Sequence, residues 1–306
     1  MVIIHAGHLW GKLRGASPAI YRKGVAMTAR VHIQNTVPRR LLQPASGYLA
    51  GYDYSLNPYV GCVFACTYCY VRGMPVARFH QGDWGTYVDV KQIDPAKFLR
   101  ELQRAREQGR VTIFMSSSTD PYQPQEARAN NTRTILTTMA QHMDLVDFIF
   151  VQTRSPLVKR DVDVLQSLGD KVLVSMTLET DLETVRQRFT PFAPPLRKRT
   201  EALELLHDQG IPTQIAVAPI LPASDAFAES IVGIADYVVI DDYFTGDGSG
   251  GRRTESLGIR AAYTDDEREQ WYSPSAVSVI AKQFQSVFGE NRVFFSQTGF
   301  LPPSAR

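Results

Sequence analysis

At 306 residues, with 44% hydrophobic and 21% charged content, the chain is long enough for one large globular domain or two small ones, which excludes general disorder. No apolar stretch approaches the ~20 residues that cross a bilayer, and no apolar run ends at a small-residue cleavage site near the start, so a soluble cytoplasmic protein with no membrane partner is expected. The net charge of +2 conceals a first fifty residues without Asp or Glu that carry seven basic ones, Lys12, Arg14, Arg22, Lys23, Arg30, Arg39 and Arg40, leaving the remainder at −5.

Residues 1–50 read as a basic N-terminal extension, partly flexible, either a solvated arm or one that tracks phosphates. The acid-free start also shares features with an organelle transit peptide, and Met27 is an alternative first residue. From about residue 51 short β-branched or aromatic runs alternate with helical periodicity, the pattern of βα units around a parallel sheet. Six strands are expected, at Tyr54–Gly61, Val111–Ser117, Val146–Thr153, Lys171–Leu178, Pro212–Leu221 and Asp236–Tyr243. Helices are expected at Pro95–Glu107, Arg128–Met143, Asp161–Leu168 and Leu196–Gln209, with Gly109, Gly169 and Gly210 at their C-termini. Six units predict an open, partial TIM-type (βα)6 barrel over residues 51–245.

Residues 246–306 should pack on that barrel. Gly246–Gly251 holds four glycines in six residues, and the polar stretch to Tyr272 reads as a mobile loop or lid. Ser273 and Pro274 should then start a helix running to Phe288, and Arg292–Gln297 a last strand.

The three cysteines of the chain, Cys62, Cys66 and Cys69, fall within eight residues, directly after the first expected strand. A tight cluster points to metal rather than disulfides. Three thiolates on one short loop suit an iron–sulfur cluster whose fourth iron takes another ligand. The alternatives are a Cys3His zinc site completed by His80, and an electron-transfer cluster with a fourth ligand that is not cysteine. Either alternative would make the chain a non-catalytic iron–sulfur or zinc module that binds nucleic acid through its basic arm.

On the fourth strand Val172, Val174, Met176 and Leu178 share one face, and Leu173, Ser175, Thr177 and Glu179 the other. The first face should meet helices. Polar groups inside a barrel need partners, since each unpaired one costs about 1–3 kcal/mol, so Ser175, Thr177 and Glu179 are candidates to line a ligand.

The spacing C-x3-C-x2-C, with Tyr68 as the aromatic before the last cysteine, resembles the radical S-adenosylmethionine superfamily. Asn57-Pro-Tyr-Val-Gly-Cys62, Ser117-Ser-Thr-Asp-Pro-Tyr122 and Arg199 to Pro219 further resemble its spore photoproduct lyase-related branch, often labelled "DNA repair photolyase", over about residues 50–245. The resemblance implies a [4Fe-4S] cluster on Cys62, Cys66 and Cys69, with S-adenosyl-L-methionine chelating the open iron. It implies reductive cleavage of that cofactor to a 5′-deoxyadenosyl radical that abstracts a substrate hydrogen, the electron coming from an external donor such as flavodoxin or ferredoxin. By position, Ser118, Thr119 and Asp120 would grip the methionyl amino group, Arg154 its carboxylate (with Arg186 and Arg188 as alternatives), and Tyr68 would serve adenine through its backbone. The lyase needs a further cysteine, which would fall near Ser117. None remains here, so spore photoproduct repair is not expected, and Tyr70 or Tyr122 is a candidate hydrogen-atom relay. Arg188, Arg197, Lys198 and Arg199 form a basic run open to two readings, nucleic-acid contact or a solvated helix face.

Overall fold

The computed structural model describes residues 31–305, so the basic residues from Lys12 to Arg30 lie outside it. Its eleven strands are β1 (His32–Thr36), β2 (Leu42–Pro44), β3 (Tyr54–Leu56), β4 (Tyr59–Val60), β5 (Tyr87–Lys91), β6 (Thr112–Met115), β7 (Phe148–Thr153), β8 (Val172–Thr177), β9 (Thr213–Val217), β10 (Tyr237–Ile240) and β11 (Val293–Phe295). Eight of them form one open sheet in the order β11-β10-β9-β8-β7-β6-β3-β2. Every pairing in it is parallel except that of β2 with β3. This is the expected partial barrel, with five of the six expected strands in place.

The sixth, Tyr54–Gly61, divides. Pro58 has no N–H to give a ladder, and the chain leaves the barrel after Leu56. It resumes as β4, antiparallel to β5 in a separate three-stranded sheet of order β1-β5-β4. The described part of the expected extension therefore contributes β1 to the small sheet and β2 to the edge of the large one.

Helix Pro95–Glu107 begins where expected because Asp94 accepts from the amides of Ala96 and Lys97 and proline takes the first turn. The expected Arg128–Met143 helix breaks into Glu126–Ala129 and Asn131–Gln141, since Asn130 adopts a left-handed φ of 53°. The stretch after Gly246 is three short helices rather than a loop: Arg252–Ser256, a 3-10 turn at Ile259–Ala262, and Asp265–Trp271. Asp247 organises the glycines by accepting from the amides of Ser249, Gly251 and Thr254. A Thr264–Glu267 capping box starts the third helix, and Ile259, Tyr263 and Trp271 are buried. The expected helix to Phe288 forms at Ala276–Phe288, and a short helix, Ser296–Phe300, follows β11.

The strands divide their side chains between two apolar layers. Ile113, Ile149, Val151, Val172, Val174, Met176, Ile215 and Val238 face the surrounding helices in the main core. On the opposite face Phe114, Phe148, Phe150 and Leu173 gather with Tyr52 in a second cluster, with Phe300 packed against it. Phe114 and Phe150 stack at 4.9 Å, and the Tyr52 phenol donates to the Phe300 carbonyl at 2.7 Å. Gly299 permits this packing, because a Cβ there would stand 2.3 Å from Val239 Cγ2. The N-terminal end of the barrel interior is thus an apolar plug. Two residues farther along the same strand faces, Gln152 and Ser175 begin a polar layer.

Candidate functional site

Polar residues at the C-terminal ends of β6, β7 and β8 meet the cysteine loop that follows β4. Gly61 opens the loop with a φ of +87°, and a Cβ there would stand 2.4 Å from the Tyr87 carbonyl oxygen. Two turns wind the cysteines together: the Ala65 amide donates to the Cys62 carbonyl at 3.3 Å and the Cys69 amide to the Cys66 carbonyl at 3.1 Å. Three contacts then pin the loop to the segment after β6. Thr119 Oγ1 donates to the Gly61 carbonyl at 2.5 Å, Gln123 Nε2 donates to the same oxygen at 3.2 Å, and Gln123 Oε1 accepts from the Val63 amide at 3.1 Å.

Cys62 and Cys66 are buried and Cys69 is half-buried. Burial pushes all three thiols up, Cys66 to about 12. Neighbouring cysteines raise Cys62 and Cys66 further, while Arg154 draws Cys66 down. Three clustered thiols, two of them buried, require a cationic centre to ionise together, which is what soft-metal binding supplies. Among the described residues no three His, Cys, Asp or Glu side chains converge on a point where one ion would sit. A cluster that takes each thiolate on a different iron needs no such convergence. His80 does not complete a zinc set in this arrangement: Nδ1 accepts from the Gly82 amide at 3.0 Å, Nε2 lies 3.4 Å from Asp89, and the ring stacks on Tyr87.

Above the plug, Gln152 Nε2 donates to Thr177 Oγ1 at 2.7 Å, and Gln214 Nε2 reaches Ser175 Oγ at 3.4 Å. Next comes a buried charge network. Glu179 accepts from Arg154 at 2.5 Å, from Arg199 at 2.8 Å and from the Tyr68 phenol. Arg154 also donates to Tyr68 Oη at 2.9 Å. Burial alone would raise the Glu179 carboxyl, but Arg154 and Arg199 outweigh it and hold the group below the usual carboxylate range. Around these residues Ser116 Oγ, Thr67 Oγ1, Gln152 Oε1 and Arg199 Nη2 are buried without a hydrogen-bond partner. Such orphaned polar atoms fit a polar ligand at this end of the barrel.

The structure separates the other expected site residues by what they already hold. Asp120 accepts from the Tyr122 amide, Thr153 Oγ1 and the Arg154 amide; it joins the ends of β6 and β7, and burial pushes its carboxyl up. Thr119 is spent on the cysteine loop. Ser118 keeps its hydroxyl clear while its amide donates to Asn57. Tyr70 is half-buried, and its phenol donates to the Ser117 carbonyl at 2.8 Å. Tyr122 is fully buried beside Asp161, Glu126 and Arg160. Arg188 pairs with Glu267 at 2.6 Å and lies over Phe189, and Arg186 is buried against the carbonyls of Thr190, Pro191 and Ala193. Neither joins the Glu179 network.

Three participants escape a reading of the sequence alone: Gln123, Gln152 and Arg199. For Arg199 a signal exists. Leu196, Arg199, Ala202, Leu203 and Leu206 are the buried residues of helix Leu196–Asp208, so this arginine sits on the apolar stripe, where a charge must be paired.

A family model described as Radical SAM superfamily matches residues 56–226. An uncharacterized protein of Methanocaldococcus jannaschii is 30% identical over 196 residues, covering 64% of this chain and 70% of the relative. One of Acidianus two-tailed virus is 33% identical over 177 residues, covering 55% and 56%. Among solved structures, a spore photoproduct lyase point mutant aligns with a TM-score of 0.63 at 12% identity, covering 86% of this chain and 81% of that one. Another mutant of that lyase, with a dinucleoside spore photoproduct, aligns with a TM-score of 0.60 at 14% identity, covering 86% and 80%. At such identities the structural likeness shows the fold alone.

Proposed function

Because the chain belongs to the radical SAM superfamily, we propose that it is an enzyme that holds a [4Fe-4S] cluster on Cys62, Cys66 and Cys69 and S-adenosyl-L-methionine against the polar end of its barrel. Bound there, the pair supplies a 5′-deoxyadenosyl radical for hydrogen abstraction when an external reductant such as flavodoxin or ferredoxin delivers one electron.

The observation that carries this reading is the loop itself: three buried or half-buried thiols, pinned at Gly61 and Val63 over a strand face whose polar atoms lack partners. Thr119 and Gln123 fix where the thiols point. Arg154 supplies positive charge next to Cys66 and is itself aimed by Glu179, which Arg199 anchors from behind. Ser118, Ser175 and Thr177 offer hydroxyls for the polar groups of a bound cofactor. The plug below keeps water from entering through the barrel floor, which protects a reactive intermediate from quenching. All three cysteines of the chain lie on this loop, so no thiol remains to return a hydrogen atom, and the reaction differs from spore photoproduct repair. Tyr70, half-buried and adjacent to Cys69, is the relay we assign.

The test is anaerobic reconstitution with iron and sulfide, then dithionite and S-adenosyl-L-methionine, measuring 5′-deoxyadenosine. Wild type should form it and Cys66→Ala should not. A colourless wild-type protein that forms none would overturn the proposal.

A further inference from the structure

The basic run 188–199 is not an open anion-binding surface. Arg188 pairs with Glu267, Arg197 and Lys198 pair with Glu201, and Arg199 is fully buried on Glu179. Positive charge collects instead beside the cysteine loop. An open cavity of ≈ 540 Å³ is lined by Arg72, Gly73, Arg78, Ser249, Arg252 and Arg253 among others, with no Asp or Glu among the described residues that line it. Among the described residues, none of Arg78, Arg252 and Arg253 forms an ion pair, and all three are exposed.

Two of these arginines are held in place. The Arg72 amide donates to the Cys69 carbonyl at 3.1 Å and its Nη1 to the Thr67 carbonyl at 2.8 Å, so the guanidinium is tied to the cysteine loop. Arg253 Nη1 donates to the Asp247 carbonyl at 2.8 Å, and its stem packs alongside Gly73. Guanidiniums gathered around one cavity repel each other, and a bound anion with several acceptor oxygens relieves that repulsion while using their fork geometry. Next to Arg78 stands Phe79, 86% exposed, a ring that offers a stacking face for a base.

We propose that this pocket binds the phosphate of a nucleotide, free or within a single strand, and so presents the substrate beside the cysteine loop. The proposal rests on the reading of that loop as the reaction site. Arg72 and Arg253 form the fixed wall, Arg78 and Arg252 close on the phosphate from solvent, and Phe79 meets the base.

The experiment uses the reconstituted full chain and two probes, a fluorescein-labelled single-stranded oligodeoxynucleotide followed by anisotropy and deoxyadenosine 5′-monophosphate as competitor. Arg78→Ala/Arg252→Ala should weaken oligonucleotide binding at least tenfold and make the slope of log K against log salt shallower by about 0.7, the contribution of one single-strand phosphate contact. Arg100→Ala/Arg104→Ala, exposed arginines on another helix, should leave both unchanged. Competition by the monophosphate, abolished in the pocket variant, would assign a free nucleotide; oligonucleotide binding without such competition would assign the strand. Wild-type protein that binds neither probe, a pocket variant that binds as wild type, or an equal loss in the control pair would each overturn the pocket. Probe binding without 5′-deoxyadenosine would leave the pocket standing and sink the radical reading. The cleavage product without arginine-dependent binding would do the reverse.

Discussion

Replacing Arg199 with methionine removes a guanidinium that is 0% exposed and bonded to Glu179 at 2.8 Å, to the Thr177 carbonyl at 3.2 Å and to the Pro194 carbonyl at 2.9 Å. Breaking one side of a buried ion pair costs about 3–5 kcal/mol. Arg154 still faces the other carboxylate oxygen, which places the pair near 3 kcal/mol, and two stranded carbonyls add about 1 kcal/mol each. At roughly 2–4 °C per kcal/mol for a domain of this size, Tm should fall by about 10 °C or more at pH 7.5. The pH dependence has a definite sign. Because the arginines hold the folded Glu179 pKa below its unfolded value, the wild-type pairing contributes fully above about pH 4.3 and is lost as pH falls through the folded value. In the variant the carboxyl titrates higher, so acidification costs it less and the gap to wild type narrows below about pH 4.3. Thermal melts followed by near-UV circular dichroism from pH 7.5 down to about pH 2.5 measure both effects. A variant within ~2 °C of wild type at neutral pH would refute the claim that Arg199 anchors the network.

Cys62→Ser and Cys69→Ser should each retain less than about a tenth of the wild-type iron and sulfide after anaerobic reconstitution, since losing one thiolate uncovers an iron; metal and sulfide assays decide it. Gln123→Leu strands the buried Val63 amide, so a loss of about 1–3 kcal/mol is expected in chemical denaturation, together with faster release of the cluster from a loosened loop. Gly299→Ala drives a methyl group to 2.3 Å from Val239 and should cost about 1–3 kcal/mol by overpacking. A Gly299→Ala protein as stable as wild type would mean that the plug yields easily.

Period and punctuation made the barrel legible. The alternation in Val172–Thr177 correctly sends valines to the helices and Ser175 and Thr177 inward, because strand side chains alternate whatever the tertiary context. Pairing across long separations is not written in local pattern. Tyr59–Val60 reads as a continuation of the first strand, yet it pairs with β5 in another sheet, a choice made by partners some 30 residues away. The stretch after Gly246 reads as a loop because its order comes from one buried carboxylate, Asp247, and from aromatic residues spaced without a helical stripe. At the candidate site, the residue types were legible while their bonding was not. Asp120, Thr119 and Glu179 are polar residues at strand ends in either description, but all three turn out to bond the protein's own groups.

The division of the barrel interior explains why the chain can place costly polar groups where it does. Apolar residues at one end, with Phe150 0% and Leu173 1% exposed, gain about 1.5–3 kcal/mol each from burial. That contribution offsets the desolvation of Glu179, Arg154 and Arg199 at the other end. Orphaned atoms such as Gln152 Oε1 and Arg199 Nη2 are tolerable only beside such a reserve, and they sit toward the same end of the strands as the cysteine loop. A ligand that satisfies them therefore stabilises the protein as it binds, by an amount that grows with ligand concentration. On this argument S-adenosyl-L-methionine should raise the Tm of the cluster-loaded enzyme, and the rise should shrink in Arg154→Met, whose guanidinium no longer stands beside Cys66. An equal rise in both proteins would place the cofactor elsewhere.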